Sequence, residues 1–305
     1  MRAWLLLLLT ATLLDAADVR RAPRTQLRVA APEQEPPLDR AACKATLDGK
    51  SVRVLRVRGP KDDLVMLVVL DLTGDLTLID TARGVLTEKL AALPPNNWVG
   101  LMKSQDILQV VEDPTPDRQK IAAAIRDYAT TGKAGLLTTI ESAAAVGDTL
   151  MARANVRVAL VYITDSNIYN YREDFTNPVI NSSDSRDLSR RFPDQLIREK
   201  MQKLSDSLAS SETPLFFVHL NYFSDPINEA YQRGLLQLAE ESGGFGAFCR
   251  SRGEIPDAVE KVIAAAATHW SVAIELRGAK SRTATVDLLN GDRDVPNRAR
   301  FSLRK

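Results

Sequence analysis

Asp71, Thr73 and Asp75 alternate directly after an unbroken apolar run, LVMLVVL, from Leu64 to Leu70. A strand that is apolar at every position is buried on both faces, as in the middle of a parallel sheet covered by helices. Open α/β sheets hold their ligands just beyond the carboxyl ends of such strands. Three oxygen-bearing side chains alternating there can converge on one small volume. A second apolar run, Val156 to Ile163, stops at Thr164-Asp165, and a third, Pro214 to Leu220, stops at Asn221. Asp165 therefore joins the same end of the sheet. Asp71, Asp75 and Asp165 repel one another there unless a cation or a proton intervenes. The stretch from Ser166 to Pro193 continues on the same rim. It interleaves Asn167, Tyr169, Tyr171 and Arg172, residue types that recur in recognition surfaces. Its other reading is a solvated surface loop.

The elements that must position these residues alternate. Asp48-Gly49 is a hairpin turn signal flanked by Val52, Leu55 and Val57. Helical spacing predicts helices over Leu76–Leu93, Asp117–Tyr128, Leu136–Ala152, Gln195–Leu208, Glu229–Glu240 and Pro256–Thr268. WVGLMKS and ILQVVED form a hairpin whose second strand supplies an antiparallel edge. Strands alternate with helices from Leu64 to Thr268, so the fold expected is α/β, a doubly wound, mostly parallel sheet with helices on both faces. The short strands at Val272–Leu276, Thr283–Leu289 and Ala299–Leu303, with Asn290-Gly291 as a turn, make a small β appendage that pairs with the early hairpin.

The chain has 305 residues, 45% hydrophobic and 26% charged, enough for one large domain or two small ones. A net charge of +1 gives no electrostatic case for nucleic acid. Arg2 precedes a run of about 12 mostly apolar residues and then Ala16-Ala17, the layout of a secretory signal peptide too short to span a bilayer. Expected, then, are a signal peptide over 1–17 that leaves no transmembrane segment after cleavage, and a flexible linker over 18–41. An N-terminal β-hairpin over 42–62, the α/β domain over 63–269 and a β segment over 270–305 follow, in a secreted or periplasmic protein. Cys43 and Cys249 permit a disulfide in an exported chain, or are two buried thiols. Asn181-Ser182-Ser183 is a glycosylation sequon that matters only in a eukaryotic secretory pathway.

The strand-end set Asp71-Leu72-Thr73-Gly74-Asp75, the Thr-bearing helix start GLLTTIES and VALVYITDSN with Asp165 resemble the von Willebrand factor type A domain. LDGKSVRV, LAEESGGFGAF, HWSVAIEL and RARFSLRK resemble its exported bacterial branch, in which β segments flank the domain. In that family the first strand ends in Asp-x-Ser-x-Ser, a metal-ion-dependent adhesion site. Its hydroxyls and carboxylates hold a divalent cation that receives a carboxylate from the partner. The resemblance implies Asp71, Thr73, Asp75, Thr138 and Asp165 as ligands of Mg²⁺ or Mn²⁺, both hard cations that suit oxygen donors. Two positions depart from the pattern. Asp75 stands in place of the second Ser, and Leu137 occupies the Thr position unless Thr138 or Thr139 is shifted into it. The site is therefore an altered metal site, or a lost one whose carboxylates accept hydrogen bonds in loops.

The function expected is non-enzymatic binding of a protein partner at this rim. The alternative is a scaffolding module with a vestigial, metal-free site. His219 and His269, the two histidines, sit in an apolar strand and near a helix end and read as structural. No Gly-x-Ser-x-Gly elbow or phosphate-cradling Gly loop is present. A phosphatase-like hydrolase would need a second Asp where the chain has Thr73.

Overall fold

The computed structural model describes residues 25–130, 132–171, 193–276 and 282–303. The chain begins with β1 (Gln26–Ala31), β2 (Cys43–Leu47), β3 (Lys50–Val52) and β4 (Val54–Arg58). The core follows as β5 (Leu64–Asp71), α1 (Leu76–Ala91), β6 (Asn97–Gln105), β7 (Ile107–Thr115), α2 (Arg118–Arg126) and α3 (Leu136–Ala154). It continues through β8 (Arg157–Thr164), α4 (Pro193–Leu208), β9 (Leu215–His219), α5 (Pro226–Ser242), β10 (Phe245–Phe248) and α6 (Ile255–Thr268). The chain closes with β11 (Trp270–Glu275), β12 (Thr283–Asn290), β13 (Arg293–Val295) and β14 (Arg300–Ser302).

The six-stranded core sheet runs in the order β10-β9-β8-β5-β6-β7. All its pairings are parallel except β6–β7, so β7 is the antiparallel edge. All eight residues of β5 are buried. Leu64, Met66, Val68 and Leu70 pack with Ile79 and Leu86 of α1, Ile121 of α2 and Val259 of α6. Val65, Leu67 and Val69 face the other way, against Ile140 of α3, Met201 of α4 and Leu235 of α5. An unbroken apolar strand is thus what a sheet covered on both faces requires. No helix among the described residues is long and apolar enough to cross a membrane.

The appendage departs from expectation in one place. Residues 18–41 were expected as a flexible linker, but Gln26–Ala31 is a strand pairing antiparallel with β11, which pairs with β4 on its other side. Leu27, Val29 and Ala31 alternate into a third core with Val272, Ile274 and Phe301. The arginines and prolines around QLRVAA hide this period-2 signal, because a six-residue strand is buried by its partners and not by its own hydrophobicity. β2 and β3 form the Asp48-Gly49 hairpin, and β12 pairs with β2, so both ends of the chain build one appendage. Cys43 belongs to the appendage core and Cys249 to the α/β core; both are free, buried thiols, not a disulfide.

Core and appendage join at the amino ends of the parallel strands. Arg157, wholly buried at the start of β8, donates to the carbonyls of Pro60 and Asp62 and to those of Ala267 and His269. One guanidinium thereby ties the segment leading into the core to the segment leading out. Arg28 of β1 forms a buried ion pair with Glu212 at 3.0 Å. The side chain of Arg298 donates to the carbonyls of Ser211 and Ala209. The first strand and the segment before the last are thus anchored at one pole, which leaves the carboxyl ends of the strands clear.

Candidate functional site

The register of the sheet sets Asp71, Thr164 and His219 side by side at the ends of β5, β8 and β9. Asp71 is wholly buried. One carboxylate oxygen accepts from the Gly135 amide at 2.8 Å and the other from the Thr164 hydroxyl at 3.0 Å. Burial pushes its pKa up to about 7 against the opposing pull of these hydrogen bonds, and the nearby Asp165 adds to the rise. Gly135 allows this contact because its backbone passes Ser104 so closely that a Cβ would lie 2.2 Å from the Ser104 carbonyl oxygen.

Asp165 is nearly as buried, and its two oxygens accept from the Thr73 amide at 2.9 Å and the Gly74 amide at 2.7 Å. Burial raises its pKa while the two amides work the other way. Gly74 is required at this turn, since a Cβ would stand 2.7 Å from the Asp165 carboxylate. Thr73 and Ser166 bring their hydroxyl oxygens to 3.2 Å. Asp75 is exposed and turns back to cap α1, accepting from the Thr77 amide at 2.7 Å. Thr138 donates its hydroxyl to the Gly135 carbonyl. Thr139 does the same from a buried position, where it also meets Ser104 at 2.6 Å and Tyr162 at 3.2 Å.

The five residues implied as metal ligands thus reach one end of the sheet, where their polar atoms are engaged by backbone amides, a backbone carbonyl and neighbouring hydroxyls. Asp71 faces the Gly135 loop, Asp165 clasps the 73–74 turn, Asp75 caps a helix and Thr138 bonds its own turn. Among the described residues no three His, Cys, Asp or Glu side chains gather in one place. A cation there would have to displace these contacts, in which the carboxylates hold loops together through backbone amides.

Further residues close the rim. The side-chain amide of Gln105, at the end of β6, donates to the Leu72 carbonyl. Ala134 forms isolated bridges to Gln105 and to Tyr171, sewing the loop before α3 between them. Asn228 of α5 accepts from the Ile168 amide at 2.8 Å. His219 lies 3.0 Å from the Ser166 carbonyl through Nε2, while its Nδ1 accepts from the Asn221 amide. A neutral ring with its proton on Nε2 satisfies both contacts, and burial accordingly lowers its pKa to about 4. His269 is also buried, with its pKa lowered to about 3 by burial and then by Arg157.

The residues expected to meet a partner divide. Tyr169 is 56% exposed and Asn167 caps the short helix that carries it. Tyr171 is a correction: it is buried, with its hydroxyl 2.6 Å from that of Tyr231, so it belongs to the core beneath the rim. Arg172, and most of the Ser166–Pro193 stretch with its sequon, lie outside the described residues. Sequence reasoning missed Leu76, 61% exposed at the start of α1, and Ile107, 58% exposed at the start of β7. Both fall in apolar patterns, and periodicity does not reveal which member of a pattern stays in water.

A cavity of about 520 Å³ lies at the opposite pole, bounded by Leu208, Leu238, Glu241 and Arg298 among others, and no strand-end residue of the rim lines it.

No protein-family model matches the chain, and no curated protein matches it by sequence. Solved structures do match it at low identity. One is an aerotolerance-related membrane protein from Bacteroides fragilis NCTC 9343 with multiple mutations to serines, at 11% identity over 66% of this chain and 98% of that one, TM-score 0.42. Another is a von Willebrand factor type A protein from Catenulispora acidiphila, at 8% identity over 93% and 74% of the two chains, TM-score 0.47. A third is proximal thread matrix protein 1 from the mussel byssus with a zinc-occupied MIDAS motif, at 12% identity over 76% and 50%, TM-score 0.45. At such identities and scores these likenesses concern fold and say nothing of ligand or partner. With its strand order, its helices on both faces of the sheet and its polar strand-end loops, the α/β core of this chain has a doubly wound, von Willebrand factor A-like fold.

Proposed function

We propose that this chain is an exported, non-enzymatic binding protein that docks a protein partner on the strand-end rim, and that its altered adhesion site works without a cation. The observation that carries this reading is the rim's own closure. Asp71 and Asp165 accept from Gly135, Thr164, Thr73 and Gly74, which locks three loops into one surface. That surface holds Leu76, Ile107 and Tyr169 in water. Large apolar side chains kept exposed around polar loops mark interaction sites. A rigid surface also loses little freedom when a partner binds. Export rests on the amino-terminal apolar stretch read from the sequence.

Catalysis finds no support in the same geometry. Asp71 is sealed from any phosphoester by burial and by its two hydrogen bonds. Both histidines are buried and engaged with backbone groups. The test is a photo-crosslinking residue placed at Tyr169 or Leu76 and, as a control, at Trp98, which is exposed at the start of β6 on the opposite pole. In extracts of the producing cell, discrete adducts are expected from the two rim positions and not from position 98. Adducts from Trp98 alone would move the partner surface to the other pole.

A further inference from the structure

Apolar surface continues from Ile107 down the lateral edge of the core sheet. β7, with the sequence ILQVVEDPT, pairs with β6 alone among the described residues and forms that edge. Ile107, Val110 and Val111 are 58%, 61% and 40% exposed. Natural sheets blunt an edge of this kind with lysine, with proline or with bulges. β7 carries no Lys or Arg. Its proline, Pro114, and its two breaks in register lie beyond Val110, where Val110 pairs with Met102, Glu112 with Leu101 and Thr115 with Val99. From Ile107 to Val110 the ladder with β6 runs residue for residue. The blunting devices therefore stop the free edge at one end and leave its apolar half open.

We infer that β7 pairs with the β7 of a second copy of this chain, antiparallel about a two-fold axis through Gln109. The strand itself selects a second copy. About Gln109, Leu108 stands opposite Val110 and Ile107 opposite Val111, so the neutral stretch 107–111 is complementary to itself. Glu112 then reaches only the turn before the other β7. An axis at Val110 would set Glu112 against Leu108 and Asp113 against Ile107, and one at Val111 would set Glu112 against Val110, so the carboxylates fix the register. The two six-stranded sheets join into one, and because the pairing is antiparallel their strand-end rims face in opposite directions. The contact is small, so the association is of the weak, reversible class. None of this depends on the rim being a docking surface.

The test reads both mass and register. The purified protein is followed by sedimentation equilibrium over rising concentration. The average mass is expected to climb from one copy towards two. Val110→Lys, whose fold is checked by its melting curve, should weaken the association about tenfold by placing a charge on the edge. Single cysteines are then cross-linked with copper phenanthroline, the native Cys43 and Cys249 being buried. Gln109→Cys should link to itself, because residues directly opposite in an antiparallel pair bring their Cβ atoms to about 5 Å. Leu108→Cys should link to Val110→Cys when the two are mixed, and about tenfold more slowly to itself. A mass that stays at one copy up to about 1 mM would overturn the pairing. So would a dimer that Val110→Lys leaves intact. Phe245→Cys, 41% exposed on the opposite edge strand, would also overturn it by linking as fast as Gln109→Cys, since that marks chance collision.

Discussion

Asp165 serves as a loop clamp, its carboxylate accepting from two successive amides of the turn after β5, a nest of the kind that binds anions. Asp165→Ala removes both acceptors and should cost on the order of 2–4 kcal/mol in urea unfolding without any cation present, with Asp165→Asn costing less. Equal, negligible losses would mean that the clamp holds nothing. His219 gives the pH dependence. Its folded pKa lies near 4, below the ordinary 6.5, so the unfolded chain takes up the proton first as the solution is acidified. Stability from this group is complete above pH 6.5 and is lost as pH falls towards 4. Relative to His219→Gln, the wild type should lose about 2 kcal/mol between pH 7 and pH 5. The comparison with the variant is needed because Asp71, with its pKa raised, acts with the opposite sign over much of this window. The positions of Asp71 and Asp165 at strand ends were legible in the sequence, because each closes an apolar run, whereas His219 reads there as a structural residue inside its strand. What their atoms bond to was not. That depends on Gly74 and Gly135, whose missing Cβ atoms admit the close approach and which carry no periodic signal.

Among the elements, β5 and β8 were the plainest, each buried throughout and flanked by helical periodicity. β1 was not legible, since its burial depends on β11, some 240 residues away in sequence. Tyr171 misled for a related reason. A tyrosine in a polar stretch reads as surface, yet the bridge from Ala134 to Tyr171 turns it under the rim onto Tyr231. The latch between β1 and the loop before β9 carries its own prediction. Glu212→Gln leaves Arg28 charged and partly unpaired in a buried place and should cost about 3–5 kcal/mol. Replacing Arg28 and Glu212 together by Met and Leu should recover most of that loss. A double variant as unstable as the single one would show that the ion pair, and not packing, holds the appendage in place.

Over the described residues, the first and last strands and the carboxyl ends of the core strands lie at opposite poles. Arg157 gathers the segments that enter and leave the core at one end, and the self-bonded rim faces away at the other. The sequence resemblance carried the fold further than the site, because fold depends on the order of apolar runs, which LVMLVVL, VRVALVYI and PLFFVHL display openly. A metal site depends instead on the few residues that differ, Asp75 above all. Its carboxylate caps α1 by accepting from the Thr77 amide. The most direct test of a rim closed by its own amides is the thermal unfolding of the mature protein in EDTA and then in excess Mg²⁺, Mn²⁺ or Ca²⁺. The melting temperature should agree within about 1 °C in all four conditions. A saturable rise of several degrees with one cation, abolished by Asp71→Ala, would contradict the account and restore a working metal site to these strand ends.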